Sequence, residues 1–196
     1  METASGETIR SERLDLVSTG APFMRAVLEG RLEVAQGLAG MELPPGWDRR
    51  AEWLLRVRLS QIENDPATAP WLLRLVKLRA TGAMVGHVNF HGPPDTEGWA
   101  EIGYEIEPEH RKRGYASEAS RAMFWWAAER GVASFRASVA PDNQASLALV
   151  QRLGFHRIGE QWDDLDGLEH VFAASVEELR AVSAAPGAVS TSSRPL

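Results

Sequence analysis

A basic loop with small residues at 111–116 joins a strand pattern to a helix pattern in the middle of the chain. The first turn of a helix leaves backbone N–H groups without partners and carries the positive end of the helix dipole, so it attracts anions. Arg111 and Arg113 add guanidinium donors suited to phosphate. Gly114 permits a close backbone approach, and Ala116 keeps bulk away from the place of a diphosphate. The loop predicts a phosphate site; a solvated basic loop at the start of an ordinary helix is the alternative.

A second set of polar residues raises the question of a metal site. His87, Asn89 and His91 occupy alternate positions of an apolar run and would share one face of a strand. At about 3.3 Å per residue, the two histidines would lie roughly 13 Å apart. That distance is too long for a single zinc ion with ligands near 2 Å. No metal site is predicted, and a polar sheet face or a substrate contact from one histidine remains.

The patterns on either side of the loop predict the elements that hold it. Residues 99–107 alternate apolar and polar side chains, with Ile102 and Tyr104 on one face and Glu101 and Glu105 on the other. A period of two predicts a half-buried strand. After the loop, apolar residues recur every three or four positions, which predicts an amphipathic helix. The loop therefore lies between a strand and the start of a helix.

Three motifs follow one another in order: Arg111-x-x-Gly114-x-Ala116, Asn143-x-x-Ser146 and Leu153-Gly154-Phe155. This ordered set resembles the motifs of the GNAT superfamily of acetyl-CoA-dependent N-acetyltransferases. The sequences of the motifs are similar to those of the branch that includes the bacterial ribosomal-protein N-terminal acetyltransferases. The resemblance covers roughly residues 10–174. It implies an α/β (α+β) fold, with a mixed, mostly antiparallel sheet of about seven strands and helices on both faces.

The resemblance implies that acetyl-CoA is bound as the acetyl donor. The backbone of Tyr104–Ile106 would pair with the pantetheine arm like an added strand. This pairing would lie in the gap where the strand at 99–107, the fourth strand of the family pattern, splays apart from the fifth. Backbone N–H groups of Arg113–Ala116 would hold the diphosphate, with Arg111 nearby, and Asn143 would bond the pantetheine amides. The predicted cofactor-binding residues are Glu105, Ile106, Arg111, Arg113, Gly114, Tyr115, Ala116 and Asn143.

Acetyl transfer to an amine needs a neutral amine and a proton donor for the departing thiolate. Some family members place a glutamate base on the fourth strand, which matches Glu101; Glu105 is its competitor, and either can be a solvated carboxylate. Many GNAT enzymes place a tyrosine proton donor where this chain has Val150. Ser146 is the nearest substitute, Tyr104 could serve if its strand is bulged, and thiolate departure without a dedicated acid is the third option. The predicted catalytic residues are Glu101, Ser146 and Tyr104.

Composition limits the remaining classes. The chain has 196 residues, which suits one domain, and a net charge of −6, which argues against nucleic-acid binding through phosphates. It lacks a run of eighteen or more apolar residues and a signal-peptide pattern at its N-terminus, so no membrane contact and a cytoplasmic location are expected. Without cysteine, a cysteine acyl intermediate is excluded, which favours direct transfer.

The expected domain spans residues 8–182, and the small polar segments 1–7 and 184–196 are expected to be disordered tails. The expected reaction is direct attack of a primary amine on acetyl-CoA in a ternary complex, without a metal. The acceptor would be a small-molecule amine or a peptide N-terminus, and a homodimer is compatible with this reading. Val150, in place of the family tyrosine, supports a second class of function: a non-catalytic acyl-CoA-binding or sensing module on the same fold. A purely structural interaction domain is the third class.

Overall fold

The fold is described from a computed structural model that covers residues 6–164 and 167–184. The strands are β1 (Ile9–Arg10), β2 (Leu14–Ser18), β3 (Arg74–Leu78), β4 (Met84–Phe90), β5 (Trp99–Ile106), β6 (Ser134–Val139), β7 (His156–Asp163) and β8 (Gly167–Ser175). The helices are α1 (Ala21–Leu28), α2 (Leu32–Ala39), α3 (Trp47–Arg50), α4 (Glu52–Asn64), α5 (Tyr115–Ala128), α6 (Gln144–Leu153) and α7 (Val176–Ala184), with 3-10 turns at Pro66–Trp71 and Pro108–His110. Most of the two predicted tails lies outside the described residues.

One open sheet holds all eight described strands in the order β1-β2-β3-β4-β5-β6-β8-β7. Every neighbouring pair is antiparallel except β5 and β6, which run parallel. The predicted mixed, mostly antiparallel sheet is confirmed. The strand count is eight instead of about seven. β1 is a short separate strand, because the Ser11 N–H donates to the Leu14 carbonyl over 3.0 Å and this turn folds β1 back onto β2.

Two hydrophobic cores lie on opposite faces of the sheet, as predicted. The first packs α5, α6 and α7 against the sheet, with ring centres 4.5 Å apart between Phe124 and Phe135 and 5.6 Å apart between Phe124 and Phe155. The second packs α1–α4 against the other face, around residues such as Trp47 and Leu55. The two faces of β5 therefore meet different helical layers, which separates the side chains that alternate along it.

A bulge in β4 sets the path of β5. Val76 pairs with Gly86 but Lys77 pairs with Met84, so Val85 is an extra residue in β4. A Cβ atom at Gly86 would lie 2.1 Å from the carbonyl oxygen of Glu105. Only glycine fits here, because β5 passes directly against the bulge.

The parallel pair β5 and β6 is short. It holds only at Trp99–Glu101, which faces Ser134–Arg136. Beyond Glu101, β5 stays paired with β4 as far as Ile106, and β6 stays paired with β8 as far as Val139. The strands have therefore diverged, and a gap opens in the middle of the sheet.

Candidate active site

A cavity of about 480 Å³ lies at the gap between β5 and β6. Its wall comes from the end of β5, from most of residues 110–117 and from one face of α6. Three separate segments of the chain meet there, and the start of α5 is one of them. The cavity is therefore built around the basic loop that the sequence singled out.

The backbone of this loop presents a row of unpartnered donors. Among the described residues, the N–H groups of 112–117 donate to no protein group, and Glu118 is the first in the helix to do so, to the Gly114 carbonyl over 3.0 Å. Lys112 (φ 59°) and Gly114 (φ 82°) adopt left-handed conformations. Left-handed residues alternating with ordinary ones turn successive N–H groups toward one side, which makes a concave anion site. Its position at a helix start adds the favourable end of the dipole.

Arg111 connects this loop to the end of β5. Its Nε donates a 2.9 Å hydrogen bond to the carbonyl oxygen of Ile106. The Glu101 carbonyl accepts a 2.8 Å hydrogen bond from the N–H of His91, directly after β4, and the Glu107 N–H donates over 3.0 Å to the Val85 carbonyl in β4. Because backbone groups alternate in direction along a strand, Tyr104 directs its own N–H and carbonyl toward the gap. Arg111 therefore satisfies one carbonyl beyond the reach of β6. The backbone edge at Tyr104 faces no strand among the described residues.

Tyr104 and Ser146 face each other across the cavity. Burial raises the pKa of the Tyr104 hydroxyl, and a polar contact with the Ser146 side chain opposes this shift without reversing it. Within residues 6–164 and 167–184, that hydroxyl has no hydrogen-bond partner of good geometry. No register shift interrupts β5 in its pairing with β4, so Tyr104 reaches the cavity from a regular strand without the bulge the sequence argument required.

Asn143 caps α6 at the cavity wall. Its Oδ1 accepts a 3.1 Å hydrogen bond from the Ser146 N–H. This bond fixes the first turn of α6 and places both residues in the wall. Val150 lies elsewhere: it is 1% exposed and packs in the core between α6 and the sheet.

Glu101 lies on the opposite face of β5 from Ile102 and Tyr104, outside the cavity wall. Its Oε1 accepts a 2.6 Å hydrogen bond from the Ser138 hydroxyl of β6, and His91 Nδ1 lies 3.7 Å from the same oxygen. Burial lowers the pKa of His91. The negative charges of Glu101 and Asp163 oppose this shift, and the positive charge of Arg58 adds to it. The carboxylate therefore belongs to a polar row on the α1–α4 side of the sheet.

The structure brings most of the predicted site residues together. The cavity wall contains Tyr104, Glu105, Ile106, Arg111, Gly114, Tyr115, Ala116, Asn143 and Ser146. Glu101 and Arg113 are not in it. The Arg113 guanidinium instead donates to the Glu109 carbonyl over 3.1 Å. Their functional roles stay predictions.

Several residues of the cavity wall were not predicted from the sequence. Ala145, Ala148, Leu149 and Arg152 line the cavity from one face of α6. Their spacing of three and four is a helical period, so the face could have been found by extending the pattern from Asn143. His110 also lines the wall, and nothing in its local sequence marked it.

His87 does not take part in the site. It is 6% exposed and packs edge-on against Trp47, with 6.1 Å between ring centres. Burial lowers the pKa of His87 to about 4, and the charges of Arg58 and Arg50 add to this effect. The described part of the chain contains no group of three or more potential ligands that could hold a metal ion. No helix in that same part is long and apolar enough to cross a bilayer.

The chain has relatives and structural neighbours among acetyltransferases. It is 36% identical over 85 residues to the protein named uncharacterized N-acetyltransferase YoaA of Bacillus subtilis, which covers 43% of this chain and 48% of that relative. The chain thus spans about half the length of the curated relatives it matches. The Salmonella typhimurium acetyltransferase that modifies the N-terminal serine of ribosomal protein L7/L12 superposes with a TM-score of 0.61 at 18% identity, over 87% of this chain and 99% of that one.

A further neighbour was solved with a bound ligand. The RimL acetyltransferase in complex with coenzyme A has a TM-score of 0.61 at 18% identity, over 88% of this chain and 99% of its own. The family model for the acetyltransferase (GNAT) domain matches residues 25–156, which is more than half of the chain and includes β5, the loop at 111–116 and α5. The chain is therefore a member of the GNAT acetyltransferase domain family.

Proposed function

We propose that the chain transfers the acetyl group of acetyl-CoA to a primary amine by direct attack in a ternary complex. The observation that carries the proposal is the combination of two features in one cavity. The N–H groups of 112–117 have no partner within residues 6–164 and 167–184, and in the same ranges no strand pairs with the gap side of Tyr104. A ligand with a diphosphate at one end and an extended amide chain at the other satisfies both.

Each end of that ligand has a matching part of the wall. The diphosphate would accept hydrogen bonds from the loop at 112–117, with the charges of Lys112 and Arg152 nearby. The pantetheine amides would pair with Tyr104 as an added strand in the gap left by β6. In this proposed arrangement the thioester would lie at the point where β5 and β6 separate.

The proposed reaction uses a base on one face of β5 and an acid on the other. The amine nitrogen attacks the thioester carbonyl carbon, the C–S bond breaks, and the thiolate takes up a proton. Glu101 would accept the ammonium proton from the α1–α4 side, directly or through water, with Glu105 as the alternative base. Tyr104 or Ser146 would protonate the thiolate on the cavity side. The raised pKa of Tyr104 keeps its hydroxyl protonated, as an acid requires.

Two observations bear on the competing idea of a non-catalytic binding module. Val150 is buried in the core and does not line this cavity, so it contributes no proton donor there. A tyrosine and a serine stand in the wall instead. The chain thus keeps candidate acids in a different arrangement, which favours an enzyme.

The test is thiol release from acetyl-CoA with a panel of amines. Because some fold neighbours are ribosomal-protein acetyltransferases, the panel should combine peptides with free N-termini, polyamines and amino acids. Amine-dependent release of coenzyme A would support the proposal. Thermal stabilisation by coenzyme A without turnover on any amine would favour the binding module. If coenzyme A gives no thermal stabilisation, both the enzyme and the binding module are ruled out. The cytoplasmic location and the homodimer stay predictions.

A further inference from the structure

Arg13 connects the N-terminal strands to the start of α5, about a hundred positions away in sequence. It lies in the turn between β1 and β2. Its Nη1 donates to the Arg113 carbonyl over 3.1 Å, and its Nε donates to Glu118 Oε2 over 2.7 Å. Its guanidinium carbon lies 4.8 Å from the ring centre of Tyr115. The Arg13 side chain therefore contacts Arg113 in the basic loop and Tyr115 and Glu118 in the first turn of α5.

The bond to the Arg113 carbonyl has a geometric consequence for Gly114. In a trans peptide the carbonyl and the following N–H are coplanar and point in opposite directions. The peptide bonds of the described chain are all trans. Fixing the Arg113 carbonyl toward Arg13 therefore fixes the Gly114 N–H on the side away from Arg13. Gly114 lines the cavity, whereas Arg13 does not.

Glu118 holds Arg13 in this position. Its Oε1 accepts hydrogen bonds from the Arg13 backbone N–H and the Ser11 hydroxyl, each 2.7 Å long. Burial raises the pKa of Glu118, but the bonds from Ser11 and Arg13 outweigh it, and the net pKa lies below its ordinary value. The group is therefore a carboxylate at neutral pH, close to a site for an anion. Arg13 supplies the charge that compensates it.

We infer that Arg13 is a positioning residue for the diphosphate of the acyl donor: it directs the Gly114 N–H into the cavity and neutralises Glu118 beside it. This inference rests on the proposed function. Gly114 is consistent with it, since a Cβ atom there would meet Arg13 Nη2 at 3.4 Å. The turn between β1 and β2 is thus part of the cofactor site although none of its residues lines the cavity.

The test compares two donors, acetyl-CoA and S-acetylpantetheine, of which only the first carries a diphosphate. Arg13→Gln should raise KM for acetyl-CoA and the Kd of coenzyme A by about tenfold or more, because a charge-assisted contact and a charge balance are lost together. The kcat at saturating acetyl-CoA and the kcat/KM for S-acetylpantetheine should stay within about twofold of the parent. Arg10→Gln is the matched control, since that exposed arginine on β1 has no contact with the loop and should change neither donor.

Two more variants separate geometry from charge. Arg13→Lys keeps the charge but cannot span the Arg113 carbonyl and Glu118 together, so it should fall between the parent and Arg13→Gln. Arg13→Gln combined with Glu118→Gln removes the unpaired carboxylate and should recover part of the affinity for coenzyme A. Equal losses for both donors, or no change with acetyl-CoA, would overturn the inference. Failure of the parent chain itself to bind coenzyme A would instead overturn the proposed function.

Discussion

The Ser138 hydroxyl donates a 2.6 Å hydrogen bond to Glu101 Oε1 across the boundary between β6 and β5. Gln161 holds the Ser138 hydroxyl in place, because its Nε2 donates to the Ser138 oxygen over 3.0 Å. Glu101 is also the last β5 residue in register with a residue of β6. The bond therefore closes the gap between the strands at its narrow end. It fixes a carboxylate next to the place proposed for the thioester, on the side away from the pantetheine.

Glu101→Gln should lower kcat by about a hundredfold, since a positioned base contributes on the order of 10²–10⁴ to such reactions. The Kd of coenzyme A should not change, because Glu101 lies outside the cavity wall. A thiol-release assay gives kcat, and titration calorimetry gives the Kd of coenzyme A. Glu97→Gln, in the exposed turn before β5, is the control and should be silent. An unchanged kcat in Glu101→Gln would move the base to Glu105.

Tyr104→Phe should lower kcat by about tenfold or more while the Kd of coenzyme A stays within about threefold. In the proposed reaction the hydroxyl protonates the leaving thiolate, and the backbone makes the pantetheine contact. The raised pKa of Tyr104 adds a pH criterion. An acid with a raised pKa stays protonated to higher pH, so the alkaline fall in kcat should come above the ordinary tyrosine range. Ser146→Ala is the comparison: a larger loss there than in Tyr104→Phe would assign the proton to the serine.

Gly114→Ala should weaken coenzyme A binding by about tenfold or more. Gly114 has φ 82°, where an alanine is strained by about 1 kcal/mol, and the new methyl group would meet Arg13 Nη2 at 3.4 Å. The N–H groups of the loop would turn away from their shared direction. Titration calorimetry measures the loss.

Gly131→Ala is the control that separates binding from stability in this experiment. Gly131 also has positive φ (89°), after the end of α5, and no atom within 4 Å of its Cβ position. Its substitution should cost a similar amount of stability without changing the Kd of coenzyme A. If both glycine variants lose affinity equally, the loop geometry at 111–116 is not what binds the diphosphate.

The sequence predicted the parts of the site that depend on local pattern. The alternation of β5 placed Glu101 and Tyr104 on opposite faces, and the change of period after the loop located the start of α5; the structure has both. These features could be predicted because one strand period and one helical period decide them within about fifteen residues.

The parts that were missed depend on distant partners. Arg13 contacts the loop from the other end of the sequence, and Ser138 reaches Glu101 only because β6 lies beside β5. The bulge at Gly86, which sets the path of β5, is likewise a property of three adjacent strands. No local period encodes such contacts, so they follow only from the assembled sheet.

His87 predicts how stability depends on pH. Its pKa is lowered to about 4 in the fold, by burial first and then by the charges of Arg58 and Arg50, whereas the ordinary value is 6.5. Between these two values the unfolded chain binds a proton that the folded chain does not, so the free energy of unfolding falls as the pH drops from 6.5 toward 4. The loss from this group should reach about 3 kcal/mol and then level off.

Denaturant unfolding of the parent chain and of His87→Phe across this pH range gives the measurement. Phenylalanine keeps an aromatic ring against Trp47 but does not titrate, so the variant should lose much of the decline in unfolding free energy below pH 6.5. His156→Asn, which alters a side chain that is 58% exposed, should keep it. An identical decline in the parent and in His87→Phe would show that carboxylates, and not the buried imidazole, set the acid limit of this fold.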